Sequence, residues 1–167
     1  MLKVQRYFLE AKETDYKKKK FVLPKNYQII LEKKNFTINK FFYKQIGIDH
    51  YWRDRLIWTD IEWKKYISNP NLETWIIKND EELVGFYEQE YHPKKNEMEL
   101  INMGILKEYR GKQLGSALLS FMIENSFKDK IERIWVHTCS LDHQHALQNY
   151  ESKGFKIFKK EEIDFVA

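Results

Sequence analysis

Residues 108–120 read "EYRGKQLGSALLS". Two glycines and a basic pair, Arg110 and Lys112, stand directly ahead of an apolar pattern of helical period. A loop of this kind aims backbone N–H groups at one spot and adds the positive end of a helix dipole. Three of the six glycines, Gly104, Gly111 and Gly115, cluster here. Their close backbone approach and the two cations suit a diphosphate. The plainer reading is a turn before a capped helix. The spacing is neither the dinucleotide G-x-G-x-x-G nor the phosphate loop G-x-x-x-x-G-K-[ST]. Gln113 stands where another glycine would be simplest. Placed in the first helical turn, it is expected to take right-handed angles and to keep its N–H available.

The stretch "HTCSLDHQH" at 137–145 is rich in metal-ligand types. His137 and Cys139 can share a strand face. His143 and His145, two apart on an expected helix, point to nearly opposite sides. Four ligands so arranged do not converge on a tetrahedral site, and no metal is expected. Cys139 reads as a small buried residue rather than a nucleophile.

The elements that position these residues follow from period and punctuation. Residues 2–9 and 27–33 alternate and read as strands. "FTINKFFYKQIG" at 36–47 reads as a helix, starting near Thr37 or Asn39 and stopped by Gly47. "TDIEWKKYIS" at 59–68 is a second helix capped by Thr59 or Asp60. Residues 73–78, 83–92 and 97–106 are strands joined by short turns, which implies an antiparallel meander. Gly85 marks a bulge or a close contact. Leu114, Ala117, Leu118 and Phe121 then fall at i, i+3, i+4 and i+7, one face of a helix running to about Asn125. "IERIWVHT" at 131–138 returns to strand, so the crossover makes the flanking strands parallel. Residues 142–154 read as a last helix with Gly154 at its C′ position, and 155–166 as a closing strand. The expected fold class is α+β: one mixed sheet flanked by about four helices, in a single domain over 1–167.

Composition bounds the rest. The chain has 167 residues, 43% hydrophobic and 16% aromatic, enough for one good core. No apolar run approaches bilayer length, and the first residues carry no uninterrupted apolar segment. With a single cysteine, no internal disulfide can form, and the cytoplasm is the expected location. The net charge of +4 is uneven: residues 1–40 hold 11 Lys+Arg against 4 Asp+Glu. The run "YKKKKF" at 16–21 is the sharpest part of this excess. Being short and without a stacking platform, it reads as a solvated loop and not as a nucleic-acid surface.

Arg110, Gln113 and Gly115 resemble the coenzyme A signature Q/R-x-x-G-x-G/A of the GNAT acetyltransferases. Met103-Gly104-Ile105 upstream is similar to the family's strand before that loop. Ala146, Tyr150, Gly154 and Phe155 in "ALQNYESKGF" resemble its A-x-x-x-Y-x-x-x-G-F segment. The likeness covers about residues 72–158. "WRDRLIWTD", "LVGFYE" and "VHTCSLDHQHAL" resemble a bacterial subgroup of unassigned substrate, in which proline usually stands at Gln144.

The resemblance implies acetyl-CoA as cofactor and a small-molecule or peptide amine as acceptor. It assigns the cofactor contacts to Met103, Gly104, Ile105, Arg110, Gly111, Lys112, Gln113, Leu114, Gly115, Ser116 and His143. It implies that the strand ending at Ile105 splays from its parallel neighbour, freeing a backbone N–H for the thioester carbonyl. Glu99, four residues before Met103, corresponds to the base of the histone-acetylating branch, with Glu97 next in order. Glu97, Glu99, Ile101 and Met103 share a face if no bulge intervenes; the alternative for Glu99 is a solvent-facing carboxylate. Tyr150 corresponds to the tyrosine that protonates the leaving thiolate, the alternative being a core tyrosine. Residues 49–58 correspond to part of the acceptor pocket. There Trp52, Arg53 and Arg55 either meet an aromatic or acidic acceptor or are structural, with the arginines paired to Asp49, Asp54 or Asp60. Trp58 reads as core. Sheet-edge homodimers are common among such relatives. A CoA-binding module without turnover is the other function compatible with these residues.

Overall fold

The computed structural model describes residues 2–143 and 145–165, so Gln144 lies outside it. The alternating N-terminal residues form β1 (Leu2–Ala11), and β2 (Tyr27–Glu32) follows a long loop. α1 (Phe36–Gly47) spans the expected residues, but it is capped from Asn35 rather than from Thr37 or Asn39, and Gly47 is its last residue. The Asn35 side chain accepts from the Thr37 N–H at 3.1 Å. α2 (Asp60–Ile67) is capped by Thr59, with Asp60 and Glu62 at the positive end of its dipole. β3 (Leu72–Asn79), β4 (Glu82–His92) and β5 (Glu97–Ile105) come next. β2 through β5 pair in order, all antiparallel, which is the expected meander. α3 (Leu114–Phe127) carries the chain to β6 (Arg133–Cys139), parallel to β5. α4 (Ala146–Ser152) and β7 (Lys156–Phe165) complete the described chain. No helix among the described residues is long and apolar enough to cross a membrane.

The sheet order is β2-β3-β4-β5-β6-β1-β7. The first strand is therefore inserted between the last two, antiparallel to both. Arg6 faces Cys139 on one side and Glu161 on the other. Local sequence patterns carry no information about such a placement, which depends on pairing at long range.

Two apolar layers fix the sheet. On one face Leu114, Leu118 and Met122 of α3 pack with Leu100, Val136, Leu9 and Phe155. On the other, Phe42 and Ile46 of α1 pack with Ile76 and Phe86, the rings of Phe42 and Phe86 stacked at 4.9 Å. Gly85 is a close contact: a Cβ there would lie 2.6 Å from the Gly104 carbonyl oxygen.

Two irregularities in β5 shape the site. Glu88 faces Asn102 while Gln89 faces Leu100, so Ile101 is an extra residue and β5 bulges there. The β5–β6 ladder also stops early, at Leu100 opposite Val136. Beyond that point the two strands have separated, and the sheet opens between them.

Candidate active site

The opening between β5 and β6 leads into a groove of about 540 Å³. Its walls are the end of β5, the loop and first turn of α3, and α4. Met103, Gly104, Ile105, Arg110, Gly111, Gln113, Leu114, Gly115, Ser116, His143 and Tyr150 all line it. Two of the sequence-predicted residues do not. Lys112 turns away, its ammonium 5.4 Å from the Tyr109 ring centre, and Glu99 lies on the opposite sheet face.

Gln113 departs from expectation. It is the N-cap of α3, not a residue of its first turn, and its backbone is left-handed, with φ 60° and ψ 17°. A side chain costs about 1 kcal/mol or more in this conformation. Nor does its side chain cap the helix. The first intrahelical bond runs from the Ala117 N–H to the Gln113 carbonyl at 3.1 Å. The first-turn N–H groups ahead of Ala117 thus face the groove with no side-chain acceptor from the cap position.

Arg110 is held beside them. Its Nε donates to the Ile105 carbonyl at 3.0 Å, and one terminal nitrogen to Asp49 at 3.1 Å. The other, Nη2, is buried with no partner among the described residues. An uncapped helix start and an unpaired guanidinium nitrogen at one groove wall match the phosphates of coenzyme A in charge and hydrogen bonding.

Tyr150 sits on α4 at the groove wall, 9% exposed, edge-on to Phe155 at 5.7 Å. Burial, and then the Asp142 charge, push its phenol up, so it remains a proton donor at neutral pH. It is thus both the core tyrosine and the groove tyrosine. Gly154 follows with φ 105°, and a Cβ there would run into the Asp15 carbonyl oxygen. The glycine of the Tyr–Gly–Phe segment is what lets the N-terminal loop pass.

His143 and His145 precede α4 instead of lying on it, because that helix begins at Ala146. Their rings are 5.3 Å apart, so the expectation of opposite helix sides does not apply. Sequence reasoning missed His50, which lies just after α1, lines the groove and is 8% exposed. Its Nδ1 is 3.9 Å from Asp142. Burial holds its pKa below the usual value against the pull of Asp142, so the imidazole is neutral at neutral pH. No local motif marks His50; only the fold brings it to the groove.

The bulge at Ile101 changes what Glu99 can reach. Met103 packs on the α3 layer, whereas Glu99 points to the α1 face, so the two do not share a side. Glu99 Oε1 is 3.0 Å from His92 Nε2. Burial and, more weakly, the Glu90 charge raise its pKa, while His92 opposes them. Glu90, His92 and Glu99 bring three ligand-type atoms within 4.8 Å of one another. Glu97 is committed elsewhere, bonded to Arg133 at 3.0 Å.

Within residues 49–58, Trp52, Trp58 and Arg55 have partners inside the fold. Trp52 packs over Gly47, where a Cβ would lie 2.7 Å from it. Trp58 packs edge-on to Trp63 at 4.9 Å. Arg55 pairs with none of the expected aspartates. It reaches Glu88, wholly buried, at 3.0 Å. Glu88 also accepts from Tyr66 at 2.8 Å and Asn39 at 2.7 Å. Arg53 lies over the Tyr51 and Phe165 rings.

Residues 36–155 match the acetyltransferase (GNAT) family, and the chain belongs to it. Among solved structures it is similar to an aminoglycoside acetyltransferase from an uncultured soil metagenomic sample, crystallised with trehalose. The identity is 13%, over 77% of this chain and 87% of that one, with a TM-score of 0.64. A GCN5-related N-acetyltransferase from Kribbella flavida gives 14% over 93% of this chain and 55% of that one, with a TM-score of 0.62. A putative acetyltransferase of the GNAT family from Novosphingobium aromaticivorans gives 17%, 97%, 63% and a TM-score of 0.59. These likenesses show the fold. A comparison with curated proteins gave no significant match.

Proposed function

We propose that the groove binds acetyl-CoA and that the protein transfers its acetyl group to a primary amine of a small molecule or peptide. The observation that carries this reading is the uncapped start of α3, with the unpaired Arg110 nitrogen beside it. Bound acetyl-CoA supplies an acetyl group activated as a thioester, ready for direct attack by an amine in a ternary complex.

The chain supplies the surroundings. N–H groups at the start of α3 and the Arg110 guanidinium hold the phosphates. The separated edge of β5 near Met103–Ile105 offers backbone N–H to an oxygen that gains negative charge. Tyr150, kept protonated by burial, donates its phenol proton to the leaving sulfur. Glu99, with its pKa raised, takes the proton of the incoming amine through water from the other side of the sheet. The rival reading is a module that binds CoA without turnover. It draws support from the position of Glu99 off the groove wall.

The test is CoA release across a panel of amines, read as free thiol. Tyr150→Phe is expected to lower transfer by about 10²-fold or less with CoA binding kept, and to lose less at low pH. Glu99→Gln is expected to hurt most near neutral pH, where an alkylamine is mainly protonated, and to recover as pH rises. Wild-type rates in both variants across pH remove the two roles. Tight CoA binding without transfer to any amine favours the module.

A further inference from the structure

Lys153, the residue just after α4, is 1% exposed although it carries an ammonium group. Its Nζ donates to the Ser116 hydroxyl at 2.7 Å. Among the described residues no carboxylate lies within ion-pair distance of it. A buried cation without a counter-charge is costly. Two features raise that cost. Ser116 belongs to the first turn of α3, so the ammonium sits at the positive end of that helix dipole. The lysine run is the second. The Lys17 N–H donates to the Lys153 carbonyl at 2.9 Å, which docks the run against the end of α4. Burial first, and then the Lys19 charge, hold the Lys153 pKa below its ordinary value, with Glu124 opposing.

The direction of the hydrogen bond matters as much as the charge. An ammonium only donates, so the Ser116 oxygen must accept from it. The hydroxyl hydrogen of Ser116 is then left to donate elsewhere, and Ser116 lines the groove. An anion on the groove side would receive that hydrogen and supply the missing counter-charge.

We propose that Lys153 is a positioning residue for the diphosphate of coenzyme A: it fixes the Ser116 hydroxyl as a donor into the groove and places a buried positive charge behind it. The proposal rests on the reading that the groove binds CoA. It also predicts a protein strained without ligand at this point and relaxed with it.

The test compares wild type, Lys153→Met, Lys153→Arg and Ser116→Ala by calorimetric titration with CoA. Melting with and without inorganic pyrophosphate is read alongside. Lys153→Met is expected to melt higher than wild type without ligand, because an uncompensated charge has gone. It should bind CoA about 10- to 100-fold more weakly, the worth of a charge-assisted hydrogen bond. Its stabilisation by pyrophosphate should shrink, and Lys153→Arg should restore part of both. A lysine serving only the fold gives the reverse: Lys153→Met melts lower and binds CoA as wild type does, which overturns the proposal. Ser116→Ala tests the relay whatever Lys153→Met does to folding, and unchanged CoA affinity there also overturns it. Wild type failing to bind CoA would instead remove the reading of the groove itself.

Discussion

The two faces of the sheet treat buried polar groups in opposite ways. On the α1 face Glu88 is sealed from water, and Arg55, Tyr66 and Asn39 all donate to it. Asn39 also reaches Thr74 at 2.8 Å, and the Asn102 amide, turned to suit, accepts from Arg55 at 3.2 Å. Burial and the Glu88 charge keep Tyr66 protonated as a donor. In the groove, the α3 start has no side-chain cap, Arg110 has a spare nitrogen, and Gln113 holds a left-handed backbone. The saturated cluster ties α1, α2 and the Arg55 loop to the sheet. The unsaturated one is arranged for a group the chain does not provide. Residues 49–58 divide between the two: Arg55 belongs to the first kind, whereas Asp49 holds Arg110 and His50 lines the groove.

Three changes test this contrast. The largest effect is expected from Arg55→Ala, which strands the Glu88 carboxylate in the core. A loss of about 3–5 kcal/mol by denaturant unfolding is expected, with CoA affinity of the folded fraction unchanged. A small stability loss would mean that the cluster is not the structural lock described. Gly115→Glu should do the opposite. A Cβ there meets only Ile105, at an ordinary 3.7 Å, so the fold should survive. A carboxylate set against the diphosphate should weaken CoA by about 10²-fold in titration. Full affinity in a folded Gly115→Glu protein would move the phosphates out of this loop. The smallest effect is expected from Gln113→Gly. Relief of the left-handed backbone, less the added freedom of the unfolded glycine, should stabilise by about 0.5–1 kcal/mol in melting. CoA binding should persist, since the N–H is retained. Destabilisation would show that the Gln113 side chain has a partner of its own.

Much of this was legible in the sequence because it is local. The spacing of Leu114, Ala117, Leu118 and Phe121 located α3, and the turn residues located the meander. The glycine-rich loop and the Tyr–Gly–Phe segment gave the groove, since both lie next to the elements they punctuate. What escaped depends on distant partners. The bulge at Ile101 is one extra residue in an otherwise regular apolar alternation, and it moved Glu99 to the other face. The left-handed angle at Gln113 is invisible in a residue type that seldom adopts it. His50 and Lys153 acquire their surroundings only when α1, α3 and the N-terminal loop meet.

The insertion of β1 between β6 and β7 sets an order of events during synthesis. β1 is made well before its partners Arg133–Cys139 and Lys156–Phe165. At ribosomal speeds of about 5–20 residues per second, β1 waits on the order of ten seconds for its first neighbour. Through that interval Leu9 and Ala11, both fully buried at the end, have no core to enter. Until then the strand carries unpaired backbone edges on both sides. The meander and α3 can assemble meanwhile, and the sheet then closes around its own beginning.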